Sequence, residues 1–303
     1  MVKIAVFAYS LVGHACLKAL VEAGETVVGV FTHPDAPGEP LWFPSVAQLA
    51  KDHGIPVIAT EGPQDSQVLE ALQKISPHLL FSFYYRKMIP SAILDIPRLG
   101  SFNMHGSLLP RYRGRAPINW AIVHGETETG VTLHHMVQSA DAGAIVDQET
   151  VPIGPTETAF DVTHKVSAAA VQVLRRQLPA LKEGRAPALP QDESKSVYFG
   201  GRTAKDSQID WTQTPWQIHN LIRAVPYPYF PSAFTTHQGN KVEIRANRLP
   251  KEEARLENPA QPGQVVAKDK DRVRVACGNG RAFLDITALS CPFDVFQVGD
   301  VLR

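Results

Sequence analysis

Three cysteines in 303 residues, Cys16, Cys277 and Cys291, are odd in number and scattered, so they make neither a disulfide framework nor a metal-ligand spacing. Charge of one sign is not in excess, since 30 Lys and Arg balance 30 Asp and Glu. A balanced chain lacks the clustered cations that bind nucleic acid or an anionic membrane, because phosphate affinity grows with the number of cations presented. No apolar run reaches the ~18 residues of a membrane span. The chain opens on a strand-like stretch, Val2 to Ala8, with no basic region and apolar core ahead of it, so no secretory signal is read. No Gly-x-Gly-x-x-Gly follows that stretch; Tyr9-Ser10-Leu11-Val12-Gly13 occupies the turn, and neither a Walker A loop nor a Gly-x-Ser-x-Gly elbow occurs. These absences make a cytoplasmic, reduced, metal-independent protein the simplest reading.

What is present alternates. Lys3–Ala8, Thr26–Phe31, Pro56–Ile58 and His78–Tyr85 read as strands, with helices over Leu11–Ala23, Ser45–Asp52 and Asp65–Ile75 between them. Ser45 and Asp65 are candidate N-caps, and Gly24 and Gly54 candidate stops. Strands continue at Ser101–Leu108, Val131–Val137 and Ala144–Val151, around a helix over Ala116–His124. Thr158 with Asp161 forms a capping box ahead of a stripe of Val162, Val166, Ala169, Val173 and Leu174 at helical spacing, closed by Gly184. The Pro- and Ala-rich run Arg185–Ser194 reads as linker. Beyond it a helix over Thr214–Val225 precedes short strands at Ala233–Thr236, Lys241–Ala246, Gln264–Ala267, Arg272–Cys277 and Ala282–Thr287. The expected fold is α/β: a Rossmann-type, mostly parallel sheet with helices on both faces over residues 1–184. A linker at 185–205 and a small OB-like β-barrel domain at 206–303 follow. Ligands of such sheets bind beyond the carboxyl ends of the strands.

Chemistry concentrates in Asn103-Met104-His105-Gly106-Ser107-Leu108-Leu109-Pro110-Arg111-Tyr112-Arg113-Gly114. In an extended backbone residues two apart share a face, so the Asn103 amide and the His105 imidazole address one space. One side chain then holds a carbonyl oxygen while the other moves a proton, which is the equipment of acyl transfer. Asp141, in a loop before Gly143, is either a carboxylate that fixes the imidazole tautomer or a turn residue. Arg111, Arg113 and Arg115 are either bidentate forks for a diphosphate or carboxylate, or a solvated basic turn. His134 and His135, adjacent in a strand, point to opposite faces and read as structural or rim residues.

At these residues the chain resembles the formyltetrahydrofolate-dependent formyltransferases. The family's Asn-x-His, Ser-Leu-Leu-Pro, Arg-Gly and Ala-Pro stand at Asn103 and His105, Ser107–Pro110, Arg113-Gly114 and Ala116-Pro117. Its Thr-Gly-Val-Thr and Asp-x-Gly stand at Thr129–Thr132 and Asp141–Gly143. Within the family, Val6–Tyr9, Phe31–His33 with Pro37-Gly38-Glu39, Phe81–Arg86, Asn103–Arg115 and Gly125–Leu133 are most similar to the formyltransferase domain of bifunctional polymyxin-resistance enzymes. That resemblance implies formyl transfer from 10-formyltetrahydrofolate to the 4-amine of UDP-4-amino-4-deoxy-L-arabinose, a step of lipid A modification. It implies Asn103 as transition-state stabiliser, His105 as proton carrier and Asp141 as the residue that raises the pKa of His105. Folate contacts are implied at Lys87, Met88, Ile89, Arg115, Val137, Gln138, Ser139 and Ala140. Arg202, within Phe199–Thr203, is a candidate for the sugar-nucleotide diphosphate or else a solvated linker residue. Enzymes of that kind carry a second, NAD-dependent decarboxylase domain, which is expected only in a longer protein.

The alternatives are a methionyl-tRNA formyltransferase, a formyltransferase for another amino-sugar nucleotide, a hydrolase that passes formyl to water, and a non-catalytic folate or nucleotide-sugar binding module. The stretch from His33 to Ser45 carries Asp35 and Glu39 but no Lys or Arg, and the C-terminal cations are nearly matched by anions. Gly106 stands where the tRNA enzymes typically have Pro. All three features favour a small acceptor.

Overall fold

The computed structural model describes residues 1–34, 42–60, 62–251 and 255–303; Pro37-Gly38-Glu39 and the acidic pair Asp35 and Glu39 lie outside the described residues. The first half alternates as the sequence pattern predicts. Its order is β1 (Lys3–Ala8), α1 (Ser10–Glu22), β2 (Thr26–Thr32), α2 (Val46–Asp52), β3 (Val57–Ala59), α3 (Ser66–Ile75), β4 (Leu79–Phe83), α4 (Ser91–Leu94) and β5 (Ser101–His105). Two helices start where a short polar side chain reaches back to an orphan N–H. Ser45 Oγ accepts from Gln48 N–H at 3.2 Å, and Asp65 Oδ1 accepts from Gln67 N–H at 3.1 Å. The chain continues through β6 (Arg113–Gly114), α5 (Pro117–Val123), β7 (Glu128–His135), β8 (Ile145–Pro152), α6 (Ala159–Lys182) and β9 (Tyr198–Phe199).

Seven of these strands form one sheet in the order β3-β2-β1-β4-β5-β7-β8. β1 to β5 run parallel, whereas β7 is antiparallel to β5 and β8 to β7. Both faces of β1 are covered, which is why it reads as an unbroken apolar run. Ala5 and Phe7 pack with Phe31 and Leu80 against Val68 and Leu72 of α3 and Ile93 and Leu94 of α4. On the opposite face Ala8 meets Gly13 of α1. The stripe Val162, Val166, Ala169, Val173 and Leu174 of α6 is buried, and its N-terminus carries the expected Thr158–Asp161 box.

Two expectations change. The strand expected over Ser101–Leu108 ends at His105, because the buried Ser107 turns the chain: its hydroxyl donates to the carbonyls of Arg111 at 2.7 Å and Tyr112 at 3.3 Å. The run expected as a plain linker is bonded into the first sheet system. Leu189 exchanges two backbone hydrogen bonds with Ile145, and β9 pairs in parallel with β6. Pro and Ala content says nothing about such main-chain pairing.

Contacts divide the chain into two compact units. One comprises residues 1–117, 128–152 and 162–200; the other comprises 118–127, 153–161 and 201–303. The second unit contains α7 (Pro215–Ala224), whose Thr214 and Gln217 form a capping box, and β10 (Ala233–His237), β11 (Asn240–Asn247), β12 (Val265–Lys268), β13 (Val273–Cys277) and β14 (Ala282–Leu289). These strands are antiparallel in the order β10-β11-β14-β13-β12. Residues 300–303 join the two edges: Leu302 bonds to Gly263 just before β12 and Asp300 to Val265 at its start, while Arg303 exchanges two backbone bonds with Thr236 of β10. The sheet thereby closes into the expected small barrel around Trp211, Ile218, Ile222, Val275, Leu284, Phe296 and Leu302. Among the described residues no helix is long and apolar enough to cross a membrane.

Candidate active site

The reversal of direction at β7 builds the site. Asn103 of β5 lies directly opposite His134 of β7, and His105 opposite Thr132. Opposed residues of an antiparallel pair share a face, as do residues two apart on one strand, so all four side chains project to one side of the sheet. Asn103 Nδ2 lies 3.0 Å from His134 Nε2 and 3.3 Å from Asp141 Oδ1. His134 Nδ1 faces the carbonyl of His135 at 2.8 Å, so Nδ1 carries the hydrogen and Nε2 accepts from the Asn103 amide. His105 Nε2 faces the Tyr112 carbonyl at 2.8 Å, and that nitrogen is therefore protonated too. The Ser107 turn brings Tyr112 back to this position, and Thr132 braces the turn by accepting from Leu109 N–H and donating to the Ser107 carbonyl.

Asp141 completes the cluster from the loop between β7 and β8. Its Oδ1 stands 3.5 Å from His105 Nδ1 and 3.5 Å from His134 Nε2, and its Oδ2 accepts from Gly114 N–H at 2.8 Å. Burial is the largest single influence on this carboxyl and pushes it up. Against it act the charge of His105 when that ring is protonated, the hydrogen bond and charge of His134 when it too is protonated, and the Gly114 N–H; together these outweigh burial and hold the carboxyl well below the usual carboxylate range. Three side-chain nitrogens, Asn103 Nδ2, His105 Nδ1 and His134 Nε2, thus converge on one carboxylate oxygen. The imidazole of His105 is largely enclosed, 8% of its side chain being exposed, with the Tyr112 carbonyl at Nε2 and the Asp141 carboxylate at Nδ1. Its Nδ1 edge is the one not tied to a backbone carbonyl.

Local strain marks the same place. Tyr84, Tyr112, Ala116 and Asp141 all have positive φ, a conformation that costs non-glycine residues free energy and persists only where the surroundings enforce it. Tyr84 follows β4, and its hydroxyl is buried with no hydrogen-bond partner. It fills the space beside Gly106: a Cβ built there would lie 1.8 Å from Tyr84 Oη. Gly106 is thus a packing requirement set by Tyr84, directly after His105.

The other sequence candidates are distributed unevenly. Lys87 and Met88, past the carboxyl end of β4, are exposed, as are Val137, Gln138 and Ser139 past β7, with Ala140 partly so. Ile89 is turned into the core beside Phe7 and Leu80, so it offers a ligand its backbone rather than its side chain. Arg115 is exposed, but Arg113 is buried and committed to Glu193 at 2.7 and 2.9 Å and to Gln191 at 2.8 and 3.1 Å; it is not a free fork for a ligand. Arg202 belongs to the second unit. Its guanidinium lies 4.7 Å over the Trp120 ring, and its Nε and Nη1 are buried without a hydrogen-bond partner. The reading of His134 as a structural or rim residue is corrected, since it touches Asn103 directly; His135 does pack structurally, 4.8 Å from the Phe102 ring. Strand alternation separates the two histidines, but only the β5–β7 register shows which one faces Asn103. Among the described residues no group of three or more His, Cys, Asp or Glu is placed to hold a metal ion.

Two family models match the chain. One, described as formyl transferase, matches residues 2–178; the other, described as formyl transferase C-terminal domain, matches residues 202–290. Among solved structures, WlaRD, a sugar 3N-formyl transferase with dTDP and 5-N-formyl-THF, superposes with a TM-score of 0.69 at 21% identity, over 95% of this chain and 98% of that one. An N-formyltransferase from Helicobacter canadensis, in complex with folinic acid and dTDP-3-aminofucose, gives a TM-score of 0.69 at 20% identity over 95% and 100% of the two chains. HypX from Aquifex aeolicus with tetrahydrofolic acid gives 0.65 at 20% identity, over 94% of this chain and 43% of that chain. At these identities the likeness is one of fold.

Proposed function

The chain belongs to the formyl transferase family, and from that premise we propose that it carries formyl from 10-formyltetrahydrofolate to the amine of an amino-sugar nucleotide. The observation that supports this reading above the others is the convergence of Asn103, His105 and Asp141 on one side of the β5–β7 pair. An amine that attacks a formyl carbon pushes charge onto the formyl oxygen and must itself lose a proton, while the donor nitrogen must gain one. The Asn103 amide supplies the hydrogen bond to that oxygen; its 3.3 Å contact to Asp141 is the weaker of its two and is the one that yields. His105 Nδ1 is the station for the proton, and Asp141 stabilises the imidazolium formed when the proton arrives.

The folate contacts proposed are Lys87, Met88, the Ile89 backbone, Arg115 and residues 137–140; of these Lys87, Met88, Arg115 and residues 137–139 are exposed, and 87–89 follow β4 while 137–140 precede Asp141 in its loop. Two of the matched solved structures hold a formylated reduced folate together with dTDP or a dTDP-amino sugar, which supports both reactant classes. Arg202, with two buried N–H groups left over, is the proposed cation for the diphosphate. The finer assignment rests on the resemblance to the N-terminal domain of ArnA: UDP-4-amino-4-deoxy-L-arabinose as acceptor, a role in lipid A modification and polymyxin resistance, and a fused decarboxylase in the longer protein. We propose residues 1–184 as the catalytic part and 206–303 as the barrel part, with 185–205 as the connection between them, whose residues up to 200 bond back onto the first unit. The cytoplasm stays the proposed location, on the strength of three unpaired thiols.

The test is a parallel assay with 10-formyltetrahydrofolate in which UDP-aminoarabinose, other amino-sugar nucleotides and methionyl-tRNA are offered as acceptors. Formamide product with a nucleotide sugar is the expected result. Product with tRNA alone, formate release alone, or folate binding without turnover would each replace this reading with one of its rivals.

A further inference from the structure

Asp141 has to be held in place by something, because its backbone is left-handed with φ +53° and Gly143, two residues on, is pressed so closely to the His135 carbonyl that a Cβ would sit 1.8 Å from that oxygen. What holds the main chain is a side chain from fifty residues away. Gln191 Nε2 donates to the carbonyl of Asp141 at 2.7 Å and to the carbonyl of Gly143 at 2.7 Å, spanning the strained turn. Its Oε1 accepts from Arg113 Nε at 3.1 Å and Nη2 at 2.8 Å. Both hydrogens and both lone pairs of the amide are therefore used. Arg113 is itself anchored by Glu193 and by its own N–H to the Val197 carbonyl at 2.8 Å, and the next residue, Gly114, holds the Asp141 carboxylate. The carboxylate is thus gripped by Gly114 and the main chain by Gln191, and Arg113 ties the two grips together.

We propose that Gln191 is a positioning residue for the transfer reaction: its amide clamps the 141–143 turn so that the Asp141 carboxylate stays facing Asn103, His105 and His134. This rests on the catalytic reading of Asp141 given above. Only an amide meets the requirement, since two donors must face two carbonyls while an acceptor faces a guanidinium. Glutamate would set a carboxylate against two carbonyl oxygens, and an apolar side chain would leave all of them without a donor.

The experiment compares Gln191→Met with wild type, both alone and in an Asp141→Asn background, following turnover, folate KM, and the pH profile of kcat. Gln191→Met should lower kcat roughly 10- to 100-fold, the usual cost of an ångström-scale misplacement, with folate KM nearly unchanged and the pH profile displaced. Added to Asp141→Asn it should slow the enzyme no further, because the group it positions is already gone. Unchanged kcat and pH profile in Gln191→Met overturns the clamp, as does the full additional loss in the Asp141→Asn background. An Asp141→Asn enzyme at wild-type rate overturns the catalytic reading as well, so the two failures are told apart. Gln191→Glu, which keeps the contact with Arg113 while losing both donors, is the second variant should Gln191→Met not fold; it is expected to show the same loss, and wild-type turnover in it overturns the clamp.

Discussion

His134 is the residue that changes how Asn103 is understood. An amide that swings freely makes a poor oxyanion donor, since its orientation must be fixed when charge develops. The His134 imidazole accepts one of its two hydrogens at 3.0 Å, and the other, donated to Asp141 at 3.3 Å, is the one proposed to turn to the reacting oxygen. Replacing Asn103 or His105 by Ala is expected to lower kcat by about 10²–10³, with folate binding retained, as read by steady-state kinetics and folate titration. His134→Ala should fall short of that loss, since the donor survives and only its aim is relaxed. Asp141 adds a pH-dependent term to stability. Its carboxyl is held below its ordinary value of 3.8 in the folded state, so its contribution is present in full above that value and disappears as pH falls towards the folded value. Urea unfolding of wild type and Asp141→Asn should therefore show a wild-type advantage that narrows as pH drops from about 5 to about 2. A gap that does not change with pH would count against an ionised, stabilised carboxylate. At this scale the spacing of Asn103 and His105 is legible in the sequence because strand alternation is local. The facing of His134, the approach of Asp141 and the reach of Gln191 are not, because each depends on register or on a partner tens of residues away.

Elements announced by local chemistry appear where their signals stand. Ser45, Asp65, Thr158 and Thr214 each begin a helix because the capping oxygen and the N–H it serves lie within three residues of each other. The end of β5 is less legible, since Leu108 and Leu109 resume the apolar pattern past the point where the Ser107 hydroxyl bends the chain. The junction of β4 and β5 carries a packing prediction. Gly106→Ala drives a methyl into Tyr84 Oη and should cost about 1–3 kcal/mol in urea unfolding, the range of an overpacked core. Tyr84→Phe removes a buried hydroxyl that has no partner, and should be neutral or stabilising on its own and partly restore Gly106→Ala. Purely additive effects of the two changes would mean that they do not meet.

For the whole molecule, a strand–helix alternation is enough to foretell a parallel sheet, and a run of short strands between turn residues foretells a barrel. What neither pattern foretells is how the barrel shuts. Closure depends on residues 300–303 pairing with two strands far apart in sequence, and Leu302 from that segment is buried in the barrel core. Leu302→Ala should destabilise the second unit by about 2–5 kcal/mol, the cost of a large-to-small change in a core, with the loss visible in the unfolding transition of that unit.

Four left-handed residues, Tyr84, Tyr112, Ala116 and Asp141, stand in and beside the proposed catalytic cluster, and their conformations persist only while their surroundings enforce them. Segments under such tension relax first when the restraining bonds weaken. The enzyme should therefore fall silent on warming while its strands are still paired, and cooling it again before the sheet opens should bring the activity back.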